Sequence, residues 1–127
     1  MYQSTKIIEG FSTCFRQWKA VDTHCSKIHG YAIKFKVTFQ SENLDSRNWV
    51  VDFGIFSRST FKFDGLPIKD WFKYMFDHTL IISADDPILE DLIDLQAKNA
   101  VQLRILNDGV GCEKFALLVY NVVPLMI

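Results

Sequence analysis

The sequence predicts an α+β fold in which an antiparallel sheet packs against helices. Residues 31–40 alternate between apolar and polar side chains, as in a half-buried antiparallel strand. Later in the chain, apolar side chains recur at helical spacing, first at Ile68, Trp71, Phe72 and Met75. The predicted order of elements is strand, strand, helix, helix, strand, helix, which is typical of α+β domains.

The first half of the chain is predicted to contain two strands. The first covers residues 4–16, where Gly10 interrupts an apolar series. Residues 17–30 are polar and irregular, which predicts a loop long enough to carry a site. In the second strand, over 31–40, one face is apolar through Ile33, Phe35, Val37 and Phe39. A polar turn over 41–47 then leads to extended structure at Trp49–Phe53.

The second half is predicted to be mainly helical. Pro67 opens an amphipathic helix, and Asp86 is the predicted N-cap of a shorter helix with Pro87 in its first position. A short strand follows through Val101, Leu103 and Ile105. The last helix runs from Glu113 to Val123 and stops near Pro124, with its buried face formed by Phe115, Leu118, Val119 and Val122.

Composition narrows the class of protein. A chain of 127 residues is predicted to form a single domain, residues 1–127. Fourteen basic and fifteen acidic residues leave a net charge of −1, which argues against nucleic acid or an anionic membrane as a partner. Three cysteines suit a reducing compartment, and the chain shows neither a secretion signal nor about 20 consecutive apolar residues. We therefore expect a cytoplasmic protein.

The segment around Cys25 is the strongest candidate for chemistry. The thiol lies four residues before His29, at the entrance of the second predicted strand, and His24 is adjacent in sequence. A thiol becomes a useful nucleophile or acid/base when a neighbouring imidazole or cation favours the thiolate. Asp77 and His78 offer a base with an orienting carboxylate. The alternatives are a buried structural cysteine and an Asp-His pair that only caps a helix.

Other polar residues have simpler interpretations. Asp52 is expected to accept backbone hydrogen bonds in the turn that follows it. Glu113 fits a favourable position in the first turn of the last helix. Arg16 and Lys19 flank Trp18, and they either bind an anion or an aromatic ring or form a solvated face.

Five segments in this order resemble the 6-pyruvoyl-tetrahydropterin synthase and 6-carboxytetrahydropterin synthase family. The resemblance covers most of the chain and is moderately specific as a set. The segments are Phe11-Ser12-Thr13-Cys14-Phe15, Cys25-Ser26-Lys27-Ile28-His29-Gly30-Tyr31, Val50-Val51-Asp52-Phe53-Gly54, Phe76-Asp77-His78 and Gly111-Cys112-Glu113-Lys114-Phe115-Ala116.

The resemblance implies a tunnelling fold, in which a four-stranded antiparallel sheet carries two helices on one face. It also implies a homo-oligomer, as a trimer, a hexamer or another assembly in which subunits close a barrel. A small pterin-like molecule is the implied substrate. Cys25, Asp77 and His78 would form the proton-transfer set, and Glu113 would contribute to substrate binding.

The same resemblance implies a zinc site that this sequence does not reproduce. Three histidines hold the metal in the family, but Phe15 and Tyr31 occupy two of these positions and only His29 remains. His24 and Cys14 lack the family's spacing. Since a zinc site of this kind needs three protein ligands and an open position, we expect no family-type zinc and predict no other cofactor.

A second departure concerns the end of the sequence. The family's last two strands, with a glutamate that anchors the pterin, would follow the final helix, so we expect either a shortened version of a longer protein or a different substrate. In a competing alignment, Asn107-Asp108 stands against that glutamate and Leu103–Leu106 becomes the third strand. We prefer Glu113 in the second family helix, because Glu-Lys-Phe-Ala opens a helical apolar pattern.

Two functions follow as hypotheses. The first is a divergent lyase that acts on a reduced pterin through proton transfer by Cys25, Asp77 and His78. The alternative is a catalytically degraded member of the family that binds a pterin- or purine-like heterocycle or serves as an assembly subunit. A third interpretation is a structural domain in which the cysteine and histidine side chains are merely packed.

Overall fold

In the computed structural model, which describes residues 1–58 and 62–127, a four-stranded sheet is accompanied by three α-helices. In chain order the elements are β1 (Tyr2–Phe15), β2 (His29–Ser41), β3 (Lys62–Phe63), β4 (Leu66–Pro67), α1 (Ile68–Phe76), β5 (Thr79–Ser83), α2 (Leu89–Ala97), β6 (Leu103–Leu106) and α3 (Cys112–Val122). Strands β3 and β4 form a separate two-stranded sheet. Among the described residues, no helix combines the length and apolar character that crossing a bilayer requires.

The main sheet is mixed, so the prediction of an antiparallel sheet was wrong for half of its strands. Its order is β2-β1-β5-β6; β1 and β2 are antiparallel, whereas β5 runs parallel to β1 and β6 parallel to β5. Strand β5 was not predicted at all. All five of its residues are buried, and a strand covered on both faces shows no alternation that would distinguish it from a helix.

A β-bulge at Gly10 changes which residues of β1 face the core. Ile8 pairs with Phe35 and Phe11 pairs with Ile33, so two residues of β1 oppose one residue of β2. Gly10 has a φ of 96°, which glycine adopts without strain. Because the bulge adds one residue, the core-facing side chains pass from even to odd positions, and Phe11 and Phe15 become buried.

Helices cover both faces of the sheet, which corrects the expectation of helices on one face only. Aromatic side chains of α1 and α3, among them Phe72 and Phe115, pack against the apolar face of β1 and β2. On the opposite face, Leu92 of α2 packs with Leu80 and Ile82 of β5, and Cys14 lies at the edge of this second cluster. The opposite faces of β1 and β2 remain polar or exposed beyond the reach of α2.

Local predictions were partly confirmed. The segment predicted as extended at Trp49–Phe53 instead bends into a 3-10 helix at Phe53–Phe56, and the Asp52 carboxylate accepts a hydrogen bond from the Gly54 amide at 2.8 Å, as expected. Helix α2 begins at Leu89, later than predicted. The Asp86 side chain still accepts from the Ile88 amide at 3.0 Å, in the turn before the helix.

A buried ion pair joins the end of β1 to the segment before α2. Two nitrogens of Arg16 donate to the two carboxylate oxygens of Asp86 at 2.9 and 2.6 Å, and the Asp86 side chain is 1% exposed. Burial alone would raise the pKa of Asp86, but hydrogen bonds from Arg16 and the Ile88 amide outweigh it and place the pKa below its ordinary value. Arg16 also donates to the Ser26 carbonyl at 3.2 Å, which fixes the loop that carries Cys25.

Replacing Asp86 with Asn should lower the free energy of unfolding by about 3 kcal/mol at neutral pH, because the partly buried guanidinium of Arg16 loses its charged partner. Since the folded pKa of Asp86 is depressed, its contribution is present above a pH of about 4 and is lost as the pH falls through the folded value. The difference in the free energy of unfolding between wild type and D86N, measured by urea titration, should therefore shrink in acid.

Lys19→Met, which removes an exposed ion pair with Asp85, is the control and should lower the free energy of unfolding by at most about 1 kcal/mol. Equal losses in both variants would contradict this assignment.

The start of α3 depends on a glycine. Gly111 has a φ of 132°, and a β-carbon there would come within 2.5 Å of the Gln17 side-chain nitrogen. We expect Gly111→Ala to lower the free energy of unfolding by about 1–3 kcal/mol, mainly through backbone strain. At Gly30 the nearest atom to a β-carbon is 3.9 Å away, so Gly30→Ala should change stability by no more than about 0.5 kcal/mol. Chemical denaturation of both variants tests this, and a neutral Gly111→Ala would be evidence against it.

Candidate functional site

The candidate site forms where β1 ends and β2 begins. Strand pairing places Phe15 opposite His29 and Thr13 opposite Tyr31. The alternation of β2 directs His29 and Tyr31 to the same face as Ile33 and Phe35, the face that α3 covers. Phe15, His29 and Tyr31 therefore form a compact group of side chains where β1 ends and β2 begins.

Aromatic stacking fixes this group. The Tyr31 ring lies parallel to the Phe15 ring, with centroids 4.1 Å apart and an interplanar angle of 12°. Phe115 of α3 packs its edge on Phe15 at 5.0 Å. The Tyr31 hydroxyl is hydrogen-bonded to Nε2 of His29 at 3.0 Å. Packing and a polar contact together therefore restrict the phenol to one position.

Cys25 lies beside this group, in a 3-10 helix at His24–Ser26 that precedes β2. The Thr23 hydroxyl accepts from the Cys25 amide at 3.2 Å, and the Cys25 carbonyl accepts from the Gln17 amide at 2.8 Å. The thiol is half-buried. These contacts hold the backbone of Cys25 against the end of β1, so the predicted nucleophile has a defined place.

The pKa of the Tyr31 phenol depends on two nearby cysteines, Cys25 and Cys112. Burial raises the pKa of Tyr31, and negative charge on Cys25 and on Cys112 raises it further. The phenol is therefore kept protonated, and both cysteines lie within electrostatic range of its hydroxyl. Cys112 was not among the predicted site residues, although it stands one turn before Phe115 in α3 and so shares the face that meets β1.

The amino-terminal end of α3 completes this side of the site. Glu113 is exposed in the first turn of the helix, as the sequence predicted. Its carboxylate lies near Gly111, and Gln17 reaches the same glycine and donates to the Val110 carbonyl at 3.4 Å. Glu113 is thus close to the loop that carries Gln17, which also contacts Cys25.

An open depression adjoins the site through Gln17. It has a volume of about 460 Å³ and lies where β5 and β6 end, lined by Gln17, Trp18, Lys19, Ser83, Asp85, Asn107, Asp108, Gly109, Val110 and Lys114. Hydrogen bonds from Ser83 and Trp18, in that order, lower the pKa of Asp85 to about 2. The Lys19 ammonium lies 5.3 Å from the centre of the Trp18 ring and forms an ion pair with Asp85. Lys19 therefore contacts an aromatic ring and is also solvent-exposed, so both alternatives predicted for it apply.

Asp77 and His78 lie elsewhere. The Asp77 carboxylate accepts from the Ser12 amide at 3.0 Å, and the His78 amide donates to the Ser12 carbonyl at 2.6 Å. The His78 imidazole is 86% exposed and lies 3.7 Å from the Asp77 carboxylate, with a φ of 55° at His78. It lines a depression with Gln96 and residues 99–102, where β5 and β6 begin.

Within one chain, the structure does not bring His78 to the thiol. His29, Phe15 and Ile81 lie in one row across β2, β1 and β5. His78 lies three residues before Ile81, so it is displaced from His29 by two strand spacings across the sheet and three residues along it. The Cα atoms of His29 and His78 are therefore about 14 Å apart. Cys25 lies beyond this row, next to Gln17. The depression at His78 is also on the α2 side of the sheet, whereas Tyr31 faces α3. The predicted set is therefore divided into two groups.

The residues at this site do not fit a zinc ion of the family's kind. The Phe15 ring is 2% exposed and occupies one of the three positions, and Tyr31 is bonded to the only remaining histidine of the set. Among residues 1–58 and 62–127, no group of three or more His, Cys, Asp or Glu side chains is arranged to hold a metal. His24 approaches His29 with ring centroids 6.1 Å apart, but no third ligand joins them in this part of the chain.

Comparison with known proteins agrees with the resemblance seen in the sequence. Residues 5–124 match the family described as 6-pyruvoyl tetrahydropterin synthase. A similar solved structure is that of an uncharacterized protein, WS1659, from Wolinella succinogenes, with a TM-score of 0.57 and 25% sequence identity. The alignment covers 78% of this chain and 54% of that one, so this chain spans about half of its length. No curated protein matches the chain significantly.

The match over residues 5–124 covers nearly all of the sequence, and the mixed α+β architecture is consistent with the tunnelling fold. The chain belongs to the 6-pyruvoyl tetrahydropterin synthase family.

Proposed function

We propose that this protein is a divergent lyase of the family that acts on a reduced pterin by proton transfer at Cys25. The observation that carries the proposal is the position of Cys25, which lies near the Tyr31–His29 pair and whose carbonyl accepts a hydrogen bond from Gln17, a residue that lines an open depression. A pocket bordered by an aromatic side chain and a few fixed polar groups suits a small heterocycle. The neutral balance of charge agrees with a small-molecule substrate.

The chemistry assigned to Cys25 is the movement of a proton on the substrate side chain. As a thiolate, Cys25 removes a proton from a side-chain carbon that bears a hydroxyl group; the electron pair forms a C=C bond as the neighbouring C–O bond to the triphosphate breaks, and the triphosphate leaves with the electrons of that bond. The resulting enol becomes the ketone when the Cys25 thiol returns its proton to the neighbouring carbon and the enol hydroxyl loses its proton to water. Tyr31 and His29 lie beside the Cys25 segment and Glu113 lies near Gln17, and these three side chains would orient the substrate. No step of this scheme requires a metal ion.

Asp77 and His78 join this scheme only across two copies of the chain. In one chain the Cα atom of His78 lies about 14 Å from that of His29, and both Asp77 and His78 precede the first residue of β5. An exposed imidazole with a nearby carboxylate is nevertheless suited to exchange protons with a group on another subunit. The proposed homo-oligomer would bring His78 of one copy to Cys25 of another.

The edges of the sheet favour such an assembly. In the sheet as described, β2 is an outer strand of 13 residues, and β6 is the opposite outer strand. A long unpaired edge is a template for pairing with another chain unless it is protected. We propose that copies of the chain pair along these edges, as the closed barrel of the tunnelling fold would require.

The second candidate is a binding or assembly subunit without catalysis. It is favoured by the replacement of two metal positions by Phe15 and Tyr31, which stack as a small core would. This candidate also predicts binding of a pterin- or purine-like heterocycle. It differs from the first in that Cys25 would be dispensable.

Cys25→Ala should abolish turnover of dihydroneopterin triphosphate, with a loss of at least about 10²-fold, because no other group takes over its proton. Product formation followed by chromatography measures this. Cys14→Ala is the matched control: its thiol packs against the α2 side of the sheet, and turnover should persist. An active Cys25→Ala protein would contradict proton transfer by Cys25, and a wild-type protein that is inert but binds the pterin would leave only the second candidate.

Mixing Cys25→Ala with His78→Asn tests whether the site is shared between subunits. If one copy supplies the thiol and another the imidazole, random mixed oligomers should regain about one quarter of wild-type activity, since each site then has both groups intact with that frequency. The subunits are dissociated, mixed and reassembled before the assay. Mixed oligomers that stay inactive would show that the two groups do not act together across subunits.

A further inference from the structure

At the positions that the resemblance assigns to metal ligands, this chain has a hydrogen-bonded pair of side chains, Tyr31 and His29. The Tyr31 hydroxyl and His29 Nε2 are 3.0 Å apart, and their ring centroids are 4.5 Å apart. Both side chains are half-buried on the face of β2 that meets α3. A phenol in this position, bonded to an imidazole, offers one polarised hydrogen and no metal ligand set.

The surroundings of the phenol make it rigid. Phe15 stacks on the Tyr31 ring at 4.1 Å, and Phe115 holds Phe15 from α3 at 5.0 Å. Phe15 is therefore a positioning residue for Tyr31, since its ring supports the face of the phenol. A fixed donor stabilises charge on a substrate oxygen more effectively than a mobile one, because little reorganisation is needed during the reaction.

The protonation state is that of a donor. An ordinary phenol has a pKa of about 10, so Tyr31 keeps its hydrogen at neutral pH. When the His29 imidazole carries its hydrogen on Nε2, it donates to the phenol oxygen. The phenol hydrogen is then free for another acceptor, and donation from His29 polarises the O–H bond further.

We propose that Tyr31, held by His29 and Phe15, is a metal-independent hydrogen-bond donor to an oxygen atom of the bound pterin-like molecule. The inference rests on the proposed function in that it places the substrate beside Cys25. It assigns to the phenol the polarisation of a carbonyl or hydroxyl oxygen, while Cys25 moves the proton on carbon. His29 acts through the phenol and is a positioning residue.

The first test measures binding of neopterin by its fluorescence, which does not depend on turnover. Tyr31→Phe keeps the ring and its stacking on Phe15 but removes the donor, so we expect binding to weaken about tenfold. Tyr120→Phe alters a tyrosine of α3 that is 76% exposed and should leave affinity unchanged. Equal affinity of Tyr31→Phe and wild type would overturn the proposal.

The second test separates positioning from packing at His29. His29→Gln can place an amide nitrogen near the position of Nε2, whereas His29→Leu fills similar space without a donor. We expect neopterin affinity to be retained largely in His29→Gln and to fall in His29→Leu to the level of Tyr31→Phe. The same loss in both His29 variants, with the fold intact by circular dichroism, would contradict the role of His29 as a donor to Tyr31.

The third test addresses the metal directly. Titration with Zn²⁺ should give no one-to-one complex that depends on His29, so wild type and His29→Leu should give the same result. Tight stoichiometric zinc binding that requires His29 would overturn the metal-independent assignment.

If the wild-type protein turns over the pterin, Tyr31→Phe should also lower kcat about 10²-fold, with activity insensitive to chelators. An inert wild type would refute the proposed lyase, while the binding and zinc titrations would still decide the role of Tyr31.

Discussion

The register of β1 determines where the residues of the site lie. This strand is paired on both sides, and its last residue, Phe15, is in register with His29 of β2 and with Ile81 of β5. That row sets the aromatic group of Phe15 and Tyr31 against α3, and it leaves His78 at the start of β5, outside the group. The ion pair of Arg16 with Asp86 then ties the end of the strand to the loop of Cys25. Pairing and packing therefore arrange the site before any substrate is considered.

In the proposal above, two positions that the resemblance assigns to metal ligands serve packing and hydrogen bonding instead. A stacked phenylalanine removes one ligand and contributes apolar contact area, and the neighbouring tyrosine converts a second ligand position into a hydrogen-bond donor. Both changes favour packing at the entrance of β2. In the proposed scheme no metal ion acts as an electrophile, so catalysis would rely on fixed hydrogen bonds, whose effect depends on rigidity.

Sequence patterns predicted those elements whose burial is one-sided. The alternation of β2 and the helical spacing in α1 and α3 were recognised because each element has one apolar side. Strand β5 was missed because both of its faces are covered, and with it the parallel half of the sheet. Motif order made Cys25 and His29 candidates for the site, but it could not reveal that Tyr31 is hydrogen-bonded to His29 or that Cys112 lies near Tyr31. Such contacts depend on strand register and on the packing of α3, which residue order alone does not specify.

The bulge at Gly10 has a consequence for how this fold can vary. It divides β1 into two stretches whose inward and outward faces are out of phase. Loss of that single extra residue would rotate one stretch relative to the other and move Phe11 and Phe15 to the opposite face of the sheet, where Ser12 and Cys14 now lie. A relative that lacks one residue in this strand can therefore keep Phe11 and Phe15 on the core face only if a second insertion or deletion restores the original alternation. Insertions and deletions in this strand should accordingly occur in compensating pairs.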